Sequence, residues 1–204
     1  SYLGFILYDL FIKNTLGSLT GIEARNELVE SAKNLARELK FVRMTFINSD
    51  IANSKELILD NVDMITALHA CDTATDDAIH FGLERKVKYM LLAPCCQAEV
   101  AKCLKSNKTQ SLKKPLAELW RHGIHTVEMG SHLTNVLRCL FLESQGYKVT
   151  VTELVGWEHS MKNELIIAEY IGSKKGNAIE RIDNILEEFN LQTLKPRFNF
   201  NQKN

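Results

Sequence analysis

Residues Val62 to Gln97 read VDMITALHACDTATDDAIHFGLERKVKYMLLAPCCQ. Two short apolar runs, Val62–Leu68 and Val87–Ala93, are each followed at once by small and reactive residues. His69, Ala70, Cys71 and Asp72 follow the first; Pro94, Cys95, Cys96 and Gln97 follow the second. Between the runs, Ala74 to Arg85 has helix-forming composition. A strand, a helix and a second strand in that order build a parallel sheet. In open sheets of this kind ligands bind beyond the carboxyl ends of the strands. Both reactive clusters fall at such ends, so they are expected to form one site.

Upstream, Leu19–Ile22 reads as a strand ending in Glu23. Ala24–Lys40 reads as an amphipathic helix, with Leu28, Ala32, Leu35, Ala36 and Leu39 on one face. Met44–Ile47 reads as a strand ending in Asn48, Ser49 and Asp50, and Ser54–Asp60 as a short helix. The opening run SYLGFILYDLFIKN lacks the basic start and small-residue cleavage site of a secretory leader. Its Leu3, Ile6, Leu7, Leu10 and Phe11 fall at helical spacing, which predicts a buried helix.

Downstream, Ala98–Leu104 starts another helix, and residues 106–114 (SNKTQSLKK) read as a polar loop or lid. Leu116–Arg121 is a short helical segment. Ser131–Gln145 is a clear helix striped by Leu133, Val136, Leu137, Leu140 and Phe141, and Gly146 ends it. Tyr147–Val155 and Glu164–Ile171 read as strands. The loop between them, Gly156–Asn163, is too short for a crossover helix, so they are expected as antiparallel neighbours. Ala178–Phe189 is a last amphipathic helix, and the polar tail from Gln192 is expected to fray. There is no internal repeat and no Gly/Ser/Pro linker, so residues 1–204 are expected to form a single domain.

The chain has 204 residues and a formal net charge of zero, which argues against a purely electrostatic nucleic-acid binder. Lys105, Lys108, Lys113, Lys114, Arg121, His122, His125 and Arg138 are candidates for a modest local basic flank. The five cysteines form no spaced framework and include the adjacent pair Cys95 and Cys96. That usage suits reduced thiols and a cytoplasmic location. No apolar run is long enough for a membrane span, so no membrane partner is expected. The oligomeric state is left open.

The motifs then become specific. LHACDTATDDAI (68–79) followed by LLAPCCQ (91–97) resembles a group of class I S-adenosylmethionine-dependent methyltransferases. The group includes the transfer-RNA 2′-O-methyltransferases acting on the acceptor stem and a broad set known only as methyltransferase domains. Further matches are TGIEARNELVESA (20–32), SHLTNVLRCLFLESQGYKV (131–149) and GWEHSMKN (156–163). The resemblance implies an α/β, Rossmann-like sheet, mostly parallel, with a C-terminal antiparallel hairpin. Its main departure is the missing acidic, Gly-rich turn of the first, central strand. Ser1 is therefore expected to sit just after that turn in a longer protein. An open slot, or another segment filling it, is expected between the Glu23 strand and the Val62–Leu68 strand.

The same resemblance implies roles for individual residues. Glu23 accepts hydrogen bonds from the ribose hydroxyls of S-adenosylmethionine. Asp50 accepts one from the adenine amino group, with Ile51 against the ring. His69, which also borders the cofactor, Cys71, Asp72 and Asp76 are the catalytic candidates: a histidine base, a cysteine nucleophile, and carboxylates that orient the histidine or hold the acceptor. Pro94, Cys95, Cys96, Lys162 and Asn163 are the substrate-side candidates. Ordinary structural readings stand beside these: a carboxylate at a helix start for Glu23, a turn-closing residue for Asp50, and packing for the thiols. His69, Cys71, Cys95 and Cys96 suit zinc by type, but no C-x2-C spacing supports it, and no metal is expected. RNA is the first expectation for the methyl acceptor. A small-molecule or protein methyltransferase, and a non-catalytic binding domain of the same fold, are the alternatives.

Overall fold

The computed structural model describes residues 2–54, 57–58, 61–68, 73–94, 98–106, 115–154 and 163–198. They fall into two compact units, Ser1–Asp60 and Asn61–Asn204.

In the first unit, α1 (Tyr2–Leu7) runs directly into a π-helical turn (Tyr8–Ile12). β1 (Leu19–Glu23), α2 (Asn26–Glu38) and β2 (Met44–Asn48) follow. The two strands pair in parallel, Leu19 opposite Met44 and Glu23 opposite Asn48, as a helical crossover between them requires. Phe5, Tyr8, Val29, Ala32, Ala36, Met44 and Phe46 form the core. Phe5 stacks on Phe46 with centroids 5.7 Å apart, and Tyr8 meets Phe41 at 4.7 Å. Gly21 lies opposite Phe46, and a Cβ there would come within 2.7 Å of the ring. The bare backbone at Gly21 is what lets Phe46 lie across the sheet.

The first helix buries a different face from the one its spacing predicts. Phe5 and Tyr8 are buried, whereas Ile6, Leu10 and Phe11 are more than half exposed. The Lys13 amide reaches back five residues to the Tyr8 carbonyl. That π-type bond shifts the chain off the 3.6-residue period, and the aromatic pairs decide which face turns inward. On α2 the buried positions are Val29, Ala32 and Ala36, while Leu28 and Leu39 are largely exposed. Small residues set that face because the helix lies close on its strands. Of the short helix expected at Ser54–Asp60, the Ser54 amide closes a turn onto the Ile51 carbonyl at 3.3 Å. Residues 55, 56, 59 and 60 lie outside the described residues.

The second unit opens with β3 (Met64–Leu68), α3 (Thr73–Arg85), β4 (Tyr89–Ala93) and α4 (Ala98–Ser106). A 3-10 segment (Pro115–Trp120), α5 (Gly123–Ser144), β5 (Tyr147–Glu153) and β6 (Glu164–Tyr170) come next. α6 (Ala178–Glu188) and a 3-10 segment (Gln192–Phe198) end it. The strand order is β3-β4-β6-β5. β3 and β4 are parallel; β6 runs antiparallel to both β4 and β5. This is the expected α/β sheet with its antiparallel hairpin, and β6 takes the place between β4 and β5. Met90, Leu92, Ile166 and Ala168 on the two central strands are fully buried. Gly146 ends α5 with φ +94°, a conformation that favours glycine. Among the described residues β1 bonds only to β2, and β3 only to β4.

Two expectations need correction here. α5 begins at Gly123, eight residues before Ser131. Its added turns carry no apolar stripe because they pack through small groups. The buried Thr126 hydroxyl donates to the Trp120 carbonyl at 2.7 Å, and Gly130 lies against the backbone of α4. The tail is also docked rather than frayed as far as Phe198. Leu194 and Phe198 are buried, and Phe198 meets Phe141 edge-on at 6.4 Å. Two apolar side chains in a polar stretch were enough to anchor it.

A Cβ at position 130 would lie 2.7 Å from the Ala101 nitrogen and 2.8 Å from its Cα. Backbone cannot yield as a flexible side chain can. Gly130→Ala is expected to destabilise the fold by about 1–3 kcal/mol through overpacking. The readout is a lower urea midpoint at unchanged slope; an unchanged midpoint would show that α4 can slide away from α5 freely.

Candidate functional site

In the first unit, parallel pairing puts the carboxyl ends of β1 and β2 on one edge. Asn48 ties them together, its side-chain amide donating to the carbonyls of Glu23 at 3.1 Å and Ala24 at 2.9 Å. Glu23 is the last residue of β1. Its Oε1 accepts from the Arg25 backbone amide at 3.0 Å and from Arg25 Nε at 3.1 Å. Partial burial pushes the Glu23 carboxyl up, but the hydrogen bonds and charge of Arg25 outweigh it and hold the group below the ordinary carboxylate range. Glu23 is therefore an anion at neutral pH. Its side chain is 36% exposed, and Oε2 accepts no hydrogen bond among the described residues.

Asp50 follows β2 and is more fully engaged. Its Oδ1 accepts from the Asn53 amide and its Oδ2 from Asn53 Nδ2, both at 2.8 Å. This is a turn closed by an acidic side chain. Ile51 is half-buried, and its carbonyl accepts from the Ser54 hydroxyl at 2.8 Å.

In the second unit, β3 and β4 run parallel and β6 runs antiparallel, so the start of β6 shares an edge with the ends of β3 and β4. Pro94 and Asn163 both lie at that edge, and Asn163 is buried. The Asn163 carbonyl accepts from the Leu154 amide at 2.8 Å. His69, Cys71 and Asp72, which link β3 to α3, lie outside the described residues, as do Cys95, Cys96 and Lys162.

Asp76, in the first turn of α3, is buried. Its Oδ1 accepts from Arg138 Nε at 2.6 Å and its Oδ2 from Arg138 Nη2 at 3.0 Å. Arg138 Nη1 donates to Asn135 Oδ1 at 3.3 Å, and Asn135 Nδ2 donates to Glu164 Oε2 at 2.9 Å. One continuous polar chain thus joins α3, α5 and the first residue of β6. Arg138 is 1% exposed, which removes it from the expected basic flank. Its only sequence signal was a charge set among Leu133, Leu137 and Leu140 on an otherwise apolar helix face. Nothing in the sequence links it to a partner 62 positions away.

Cys139, next to this network, is not reactive in character. Burial, then the charges of Glu164 and Glu143, push its thiol up to about 12. Among the described residues no three His, Cys, Asp or Glu side chains group to hold a metal ion. The four residues of the zinc reading all lie outside the described residues. No helix among the described residues is long and apolar enough to cross a membrane.

The sheet order, with an antiparallel strand inserted beside a parallel pair and ligand-type residues at the carboxyl ends, defines an α/β protein of the Rossmann-like methyltransferase class. Residues 1–103 match the family described as a methyltransferase domain, and the chain belongs to that family. No curated protein matches it. Among solved structures it is similar to a Clostridium thermocellum protein described as a "putative rRNA-methylase". That similarity has 13% identity and a TM-score of 0.48, and covers 81% of this chain and 80% of the other.

Removing one partner of a buried ion pair strands the other charge. Asp76→Asn should lower stability by about 3–5 kcal/mol in urea unfolding, while the double change Asp76→Leu/Arg138→Met should cost much less. Equal losses in both would mean that the pair matters only through its packing volume. Cys139 adds an alkaline limit. Its folded pKa lies above the ordinary value of 9.0, so its contribution is complete below pH 9 and is lost as pH rises toward about 12. Thermal melts from pH 8 to 12 should fall less steeply for Cys139→Ser than for the parent chain; identical slopes would remove Cys139 from the cause.

Proposed function

We propose that this protein is an S-adenosylmethionine-dependent methyltransferase and that RNA is its acceptor. The observation that carries the cofactor reading is Glu23. A ribose presents two neighbouring hydroxyl donors, and their natural partner is a carboxylate with unused lone pairs. Glu23 is such a group: charged, at a strand end, steadied through one oxygen and, among the described residues, without a hydrogen bond at the other. Asp50 and Ile51 complete the donor side as adenine contacts, and residues 1–204 act as one methyltransferase domain. When bound, the cofactor supplies an activated methyl on a sulfonium centre.

The chain's own part in the transfer is chiefly positioning, because in-line displacement depends on alignment more than on a strong base. His69, Cys71 and Asp72 border the transfer path, and Pro94, Cys95, Cys96, Lys162 and Asn163 form the acceptor side. Asp76 contributes from beneath, its carboxylate committed to Arg138. The RNA reading draws on the sequence resemblance to the transfer-RNA 2′-O-methyltransferases, with Lys102, Lys105 and Arg121 as exposed cations.

Calorimetric titration with S-adenosylhomocysteine tests the cofactor reading. Glu23→Ala should weaken binding by about 1–3 kcal/mol, the scale of lost hydrogen bonds to a charged group. Unchanged affinity would make Glu23 a helix-start residue only, and no binding by the full-length protein would favour a non-catalytic domain. Labelled-methyl transfer to total RNA, protein and metabolite fractions tests the acceptor. Label in protein or metabolites alone would overturn the choice of RNA.

A further inference from the structure

The 3-10 segment Gln192–Phe198 carries a polar contact beside its buried side chains. Leu194 and Phe198 already anchor it by burial. Arg197 in addition reaches Glu99 as a fork, Nε to Oε2 at 3.0 Å and Nη2 to Oε1 at 3.2 Å. Its backbone carbonyl lies 3.1 Å from His80 Nε2; a carbonyl only accepts, so the histidine nitrogen donates. The charges of Asp76 and Asp77 also act on the guanidinium. Glu99 is the second residue of α4, directly after the Pro94–Gln97 segment. His80 lies in α3, the helix that follows His69–Asp72. A single residue near the end of the sequence is thus bonded to both helices that carry the acceptor-side segments.

We propose that Arg197 is a positioning residue for the acceptor side of the methyltransferase site, holding α4 through Glu99 and α3 through His80. The assignment rests on the reading of those segments as the acceptor side. Global stability is a poor reason for the fork. Both side chains are about one-third exposed, and ion pairs so placed add little to folding. What a planar, two-bond fork does provide is direction: it fixes the angle of α4 against the docked segment.

Arg197→Met keeps the apolar stem and removes the fork, and Glu99→Arg/Arg197→Glu restores a pair with reversed charges. Three measurements on the full-length protein decide the matter: S-adenosylhomocysteine affinity, labelled-methyl transfer to total RNA, and amide hydrogen exchange. In Arg197→Met, exchange in the first turns of α4 should rise about threefold, the scale of one lost half-exposed ion pair, while α3, bonded to the backbone carbonyl of residue 197, should change less. The β5–β6 hairpin should stay as protected as before. Transfer should fall through kcat at unchanged S-adenosylhomocysteine affinity, and the reversed pair should recover much of it. A parent protein that transfers methyl while Arg197→Met matches it in kcat and exchange would overturn the assignment and leave the methyltransferase reading standing. So would exchange raised evenly over the whole unit, the mark of a general packing role. A parent protein that neither binds S-adenosylhomocysteine nor transfers methyl would overturn that reading, and the assignment with it.

Discussion

The larger unit depends on the satisfaction of one buried cation. Arg138 sits among leucines on α5 with almost no access to water. A guanidinium removed from water is costly unless its donors are met with good geometry. Asp76 meets two of them as a fork and Asn135 a third. Because such bonds are directional, they leave α3 little freedom to slide or rotate on α5. Asn135 passes the constraint to Glu164, and so to the point where β6 enters the sheet. The hydrophobic core could fill its volume in several ways. The polar chain selects the one in which the start of β6 stands beside the ends of β3 and β4.

Much of this fold was legible in the sequence because its elements obey simple periods. β3, α3 and β4 are a strand, a helix and a strand in a short space, and a parallel pair is the only economical outcome. The short loop before Glu164 made β5 and β6 antiparallel for the same reason. The failures share a physical cause. The first helix, the start of α5 and the final segment all depend on partners far away in sequence. Phe5 is placed by Phe46, Gly130 by Ala101, and Phe198 by Phe141. Local spacing carries no trace of these contacts. Leu10 and Phe11 look like core residues in the sequence and stand largely exposed in the fold.

The candidate site was legible in a different way. Strand ends and residue types located Glu23, Asp50, Asp76, Pro94 and Asn163 at sheet edges or helix starts, and the fold keeps them there. What the sequence could not show is which acids retain free lone pairs. An anion that holds a ligand must leave some of its acceptor capacity unused. Glu23 and Asp76 look equivalent on paper, each an acid beside a helix start. Glu23 shares one oxygen with Arg25 and has no hydrogen bond at the other among the described residues; Asp76 is bonded through both oxygens by a buried arginine.

The same distinction bears on the edge proposed for the acceptor. Three described acids near that edge, Asp76, Glu99 and Glu164, are each bonded to a structural partner. Freeing any of them to take a proton would strand a buried arginine, unlatch α4 or loosen the start of β6. A group that moves a proton during methyl transfer is better sought in the segment that links β3 to α3, where His69 and Asp72 lie. What these bonds do in the fold is directional: they fix α3 on α5, α4 against the 3-10 segment Gln192–Phe198, and the start of β6 on α5.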